Sequence, residues 1–133
     1  MHALSSFDYA IVRVVPRVER GECLNVGVIF FCRSRRFLRA LIELDEPRLH
    51  ALYPGSDIAL IQQHLETIPR ICEGGPEAGY IGQLSQQERF HWLVAPRSTI
   101  IQTSPAHSGL CADPAATLDH LMNTLVRLPP SDQ

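Results

Sequence analysis

The chain has 133 residues, 45% hydrophobic and 20% charged, with a formal net charge of −2 at pH 7. That is enough for one domain with a real core and too little for two, and it excludes a disordered acidic tail or a low-complexity segment. No apolar run approaches the roughly 20 residues that span a bilayer. The opening residues Met1-His2-Ala3-Leu4-Ser5-Ser6 lack the basic start and apolar core of a signal peptide, so the chain reads as a soluble cytoplasmic protein. All 12 basic residues are arginine, which reads as drift between codons more than as selection for planar donors. Residues 1–39 carry net +4 and residues 40–133 net −6. A basic segment inside an acidic molecule suits a phosphate or an acidic partner, whereas bulk nucleic acid calls for a chain basic overall.

Residues 7–15 alternate as a strand, with Ala10, Val12 and Val14 on one face and Tyr9, Ile11, Arg13 and Val15 on the other, and Pro16 ends it. Residues 24–32 make a second strand so apolar that both of its faces must be covered. Asn25 is its one polar interruption, and Gly27 marks a bulge or a close backbone approach. Residues 37–44 form a third strand with Leu38, Ala40, Ile42 and Leu44 inward and Phe37, Arg39, Leu41 and Glu43 outward. Short connections make the three an antiparallel meander.

The period then changes. Asp45 caps a short helix with Pro47 in its first turn, ended by Pro54-Gly55. A longer helix follows over residues 57–72. Its stripe Ile58, Ile61, Leu65, Ile68 and Cys72 has helical spacing, and Pro69 predicts a kink or an early end. Residues 73–77 are the longest loop signal. Ser85 and Glu88 fit a capping box opening a helix through Val94, although Phe90, Trp92 and Val94 also alternate as a strand does; the helix is preferred. Residues 98–103 read as a fourth strand and residues 104–111 as a loop. Asp113-Pro114 starts a last helix through residue 127. The sum is an α+β domain over residues 1–128, an antiparallel meander of about four strands with three or four helices packed on it, and a short flexible tail at 129–133. The Val12/Val14/Ile42 face is expected to pack against both the 57–72 and the 113–127 helices.

Several residue groups could carry chemistry. The four cysteines, Cys23, Cys32, Cys72 and Cys111, have no zinc spacing, and no cofactor motif is present; the expectation is no metal and no cofactor. Cys32 and Cys72 read as core thiols. Cys111, shortly after His107, could pair with it as a nucleophile. Arg13, Arg17, Glu19, Arg20 and Asn25 form a first polar group, an anion pocket or a hairpin edged with solvated ion pairs. Glu88, Arg89, His91, Trp92, Arg97, Ser98 and His107 form a second. There a general base, a carboxylate and an anion clamp coexist, against a plainer reading in which Trp92 anchors the core, Glu88 caps and Arg97 fixes a turn. From both groups, Arg13, Asn25, Arg97 and His107 are singled out as an anion site. Arg17, Glu88, Arg89, His91 and Ser98 stand as secondary candidates.

Residues 88–102, from Glu88-Arg89-Phe90-His91-Trp92 to Ile100-Ile101-Gln102, are the most distinctive stretch. Together with Asp8-Tyr9-Ala10, Arg13-Val14-Val15-Pro16-Arg17, Asn25-Val26-Gly27-Val28 and His107-Ser108-Gly109-Leu110-Cys111, it resembles a bacterial family catalogued as a domain of unknown function, number 3037 of that series. The resemblance covers nearly the whole chain. It implies no activity, but it implies a setting beside a HipA-like kinase, hence a toxin–antitoxin or regulatory role with that kinase as partner. The favoured expectation is therefore a protein-interaction or regulatory module. The alternatives are a small phosphate/nucleotide- or nucleic-acid-processing enzyme using an Arg/His anion site, or a ligand- or nucleic-acid-binding protein without chemistry.

Overall fold

The most apolar segment of the chain forms the centre of the sheet. In β2 (Leu24–Cys32) every residue except Asn25 is buried. It lies between β1 (Ser5–Val14) and β3 (Phe37–Ile42) in the expected antiparallel meander. The structure is a computed structural model that describes residues 3–97 and 99–129. The expected tail thus falls outside the described residues from position 130 onward.

The sheet holds one strand more than expected. β4 (Ile101–Thr103) and β5 (His107–Cys111) both run along the free side of β1, the first beside its C-terminal end and the second beside its N-terminal end. The segment read as a loop is therefore mostly strand. Ser104 joins the two: its buried hydroxyl accepts from Ile11 N at 2.9 Å, and its own N–H donates to Ile11 O at 2.9 Å. Pro105 cannot donate to a ladder, so regular pairing lapses there and resumes with the register slipped by one residue.

Gly27 marks both of the features its position allowed. Val12 pairs with Gly27 and Arg13 with Asn25, which leaves Val26 as the extra residue of a bulge. A Cβ at Gly27 would stand 2.5 Å from Leu41 O, so only glycine fits beneath β3.

Helices cover both faces of the sheet. On one lie α1 (Glu46–Leu52), α2 (Ile58–Glu73) and α3 (Gln86–Val94), whose Leu49, Ile61, Leu65, Ile68, Phe90 and Leu93 pack with Val12, Val14, Ile29, Phe31 and Leu38. On the other lies α4 (Pro114–Leu125), whose Leu118 and Met122 pack with Phe7, Val28, Phe30 and Cys32. The expectation that α2 and α4 share the Val12/Val14 face is thus corrected. Phe37 and Leu41, read as outward-facing, belong with α4, because β2 is apolar on both sides and must be covered twice.

Local signals set the helix ends. Asp45, Asp57, Ser85 and Asp113 each accept a backbone N–H of their own first turn. Ser85 and Glu88 complete the capping box, which settles residues 86–94 as helix. Pro69 does not end α2, which continues to Glu73. Ile68, Ile71 and Cys72 are buried around the proline and hold the last turn to the core. Among the described residues no helix is long and apolar enough to cross a membrane.

Candidate binding groove

α2 carries two stripes. Ile61, Leu65, Ile68 and Cys72 face the sheet, while Leu60, His64, Thr67 and Ile71, also at helical spacing, line a depression beside the open edge of β4. The opposite wall is formed by Ala95, Arg97 and residues 99–103, Trp92 and Leu93 of α3 adjoin it, and Val18 adds to the rim. The cavity measures about 540 Å³, within the usual range of ligand clefts. Val18, Leu60, Trp92 and Ile100 line it while 41–44% exposed, half of the eight exposed large hydrophobic side chains among the described residues. Scattered singly they would mean little; gathered around one cavity they mark a surface built to be covered.

The polar groups of the lining are few and mostly engaged. The Thr67 hydroxyl donates to His64 O at 2.8 Å, Thr99 to Ile101 O at 2.7 Å, and Thr103 to Val94 O at 3.4 Å. Arg97 donates to Trp92 O at 2.7 Å and Leu93 O at 3.2 Å, carbonyls of the last turn of α3 where a cation suits the helix dipole. Its guanidinium lies over the Trp92 ring, 4.4 Å from the centroid. Two of its five N–H groups make these bonds. No carboxylate lines the groove among the described residues, so its fixed charge is the Arg97 cation, with His64 on the facing wall.

The four residues singled out as an anion site are distributed over three settings. Arg13 and Asn25 are brought together, with Arg13 Nε 3.4 Å from Asn25 Oδ1. Asn25 Nδ2 also donates to Leu125 O at 3.1 Å, and Arg48 to Val126 O at 3.1 Å, so this pair serves the C-terminal end of α4. Arg97 lies with α3, across the sheet from α4. His107 sits against Tyr9 with ring centroids 5.3 Å apart, four residues from Arg13 along β1, or roughly 13 Å at strand rise. Among the described residues no hydrogen bond or ion pair connects Arg97 or His107 to Arg13 or Asn25.

Of the secondary candidates, Arg17 pairs with Glu19 and reaches over the Tyr53 ring, and Arg20 pairs with Glu22, all at the surface. Glu88 belongs to the capping box, and His91 is exposed on α3. Arg89 is buried, bonded to carbonyls of Leu84, Ile71 and Cys72. Ser98 lies outside the described residues. Cys111 and His107 do not form a nucleophilic pair: they stand four residues apart along β5, roughly 13 Å. Burial and the neighbouring Cys32 thiol push the Cys111 thiol up, opposite to what a nucleophile needs. Trp92 is on the groove rim rather than in the core, at 41% exposure. Nothing in the periodicity marked Leu60, which lies off the main α2 stripe. Ile100-Ile101 did carry a signal, since consecutive side chains of an extended segment cannot both face inward.

Fold and groove together describe a small α+β domain whose sheet is covered on both faces and carries an apolar groove beside the β4 edge. The model of a family described as a protein of unknown function (DUF3037) matches residues 9–126, nearly the whole chain. The chain belongs to that family. Neither the curated proteins nor the solved structures include a match.

Proposed function

We propose that this domain is a protein-interaction module of regulatory type that binds through the groove that α2 forms with Ala95, Arg97 and residues 99–103. The observation that carries this reading is the convergence of Val18, Leu60, Trp92 and Ile100, all exposed, on one cavity. The engaged threonine hydroxyls favour binding over chemistry, because among the described residues the lining offers apolar surface and one cation but no nucleophile activated by a neighbouring base. For the same reason the enzyme reading, a phosphate- or nucleic-acid-processing site built on Arg97 and a histidine, stands second. The HipA-like kinase implied by the family resemblance is the first partner to try.

Leu60→Glu places a carboxylate on the rim at an already exposed helical position, where glutamate is a good helix former. Complex formation with the kinase, followed by co-elution, is expected to fall at least about tenfold while the circular dichroism spectrum and thermal midpoint stay near wild type. Trp92 is the sole tryptophan, so its fluorescence reports on the groove directly. A partner that binds Leu60→Glu as tightly as wild type, with no change at Trp92, would remove the groove from the interaction.

A further inference from the structure

β4 is an edge, and its backbone faces in a definite direction. Ile100 O accepts from Val15 N at 2.6 Å, and Ser104 N donates to Ile11 O at 2.9 Å. In an antiparallel ladder alternate residues face the partner strand, so Ile100, Gln102 and Ser104 turn toward β1. The backbone groups of Ile101 and Thr103 then point away from the sheet, along the groove that α2 walls on its other side; Ile101 O accepts there from the Thr99 hydroxyl at 2.7 Å and keeps its second lone pair for an added strand. Such an edge is a template for one more strand. It lies beside a cavity able to receive alternate side chains, with the stripe Leu60, His64, Thr67 and Ile71 opposite.

Charge gives the occupant an orientation. The chain enters β4 from the side of Arg97, whose guanidinium is the fixed positive charge in a groove lined by no carboxylate among the described residues, in a molecule of net charge −2. A strand added antiparallel to β4 runs its C-terminal end toward the beginning of β4, and hence toward Arg97. From these facts we propose that the groove takes an extended, largely apolar peptide segment of a partner protein, added antiparallel to β4, with a carboxylate at its C-terminal end held by Arg97. About five residues suffice to span residues 99–103 at strand rise. Backbone bonds to Ile101 and Thr103 supply affinity, and side chains facing α2 supply selectivity. The proposal rests on the interaction-module reading and names the partner's chemistry.

The probe is a synthetic pool of octapeptides alternating Val, Leu or Ile with Thr or Ser, made with a free C-terminal carboxylate, with a C-terminal amide, and with alternate backbone nitrogens methylated. The carboxylate pool is expected to shift Trp92 fluorescence and to slow hydrogen exchange at the Ile101 and Thr103 amides. The amide pool is expected to bind about tenfold more weakly, and in Arg97→Gln the two end groups should bind alike. N-methylation, which leaves the protein unaltered, should abolish binding. Ile101→Pro removes an N–H that does not serve β1 and should do the same. Equal binding of methylated and unmethylated pools, or exchange unchanged at Ile101 and Thr103, overturns strand addition. If Leu60→Glu still disrupts the kinase complex in that case, the groove survives as the interaction site and only the peptide mode is lost. Occupation by dodecanoate without peptide binding, or a dimer abolished by Ile101→Pro, would assign the groove to an acyl chain or to a second copy and overturn the proposal.

Discussion

Arg89 is only 8% exposed, and its partners are carbonyls. Nη1 donates to Ile71 O at 2.8 Å and Cys72 O at 2.6 Å, and Nε to Leu84 O at 3.0 Å. Two of these acceptors lie in the last turn of α2, at the negative end of its dipole, so a buried cation there meets unsatisfied groups that need it. Gly74 makes the room: its φ is +77°, and a Cβ would come within 2.7 Å of Nη1. Arg89→Met should therefore cost about 2–4 kcal/mol in urea unfolding, with Arg89→Lys recovering only part of it for want of the planar fork. An unchanged midpoint for Arg89→Met would show that water satisfies these carbonyls equally well. The thiols follow the same logic of burial. Burial pushes Cys72 from an ordinary 9.0 up to about 12, with Arg89 partly opposing. A pKa raised in the folded state stabilises fully below the unfolded value and is lost as pH rises from about 9 toward 12. Cys72→Val should flatten that alkaline decline, and alkylation of the native protein at pH 8 should modify the exposed Cys23 alone. Rapid labelling of Cys72 would contradict its burial.

At the scale of elements, α2 and α4 test the two cores separately. Leu65 and Met122 are both fully buried, the first among residues that pack with Val12 and Val14, the second among those that pack with Phe7 and Phe30. Leu65→Ala and Met122→Ala should each cost about 2–5 kcal/mol. The sheet separates them, so the double variant should lose nearly the sum, within about 0.5 kcal/mol. A strongly non-additive double variant, by equilibrium unfolding, would mean that the cores communicate through the strands. Within α3 the ambiguity between helix and strand falls to the capping box, because Ser85 and Glu88 satisfy N–H groups that a strand would offer to a neighbour. Arg97 finishes the same helix at its other end and reaches the groove as it does so.

For the whole molecule, covering both faces of the sheet leaves the edges as its accessible backbone. Just past the end of β3, Glu43 pairs with Arg127, just past α4, which also pairs with Asp119. The β4 edge is bordered by α2 but not paired, and the apolar surface is concentrated there. Binding is thereby directed to a place where backbone and side chains both have something to offer a partner. The surface arginine–glutamate pairs near residues 17–22 contribute little to stability by comparison, being exposed and screened by salt.

The meander, the helix starts and the family were legible in the chain itself. Alternation in residues 7–44, aspartate and serine caps, and the Asp113-Pro114 start are local signals, each completed within a few residues. The apolar character of β2 even required cover on both faces. Which helix covers which face was not local: it depended on Phe7, Phe37 and Leu41 meeting Leu118 and Met122 across long stretches of chain. The edge of β4 and β5 was likewise hidden, since its register is set by Ser104 against Ile11, 93 positions away. The groove exists only because α2, the end of α3 and residues 99–103 come together there, and that convergence sets Arg97 beside Trp92. Periodicity reports what a segment buries; only packing decides what is left uncovered between segments.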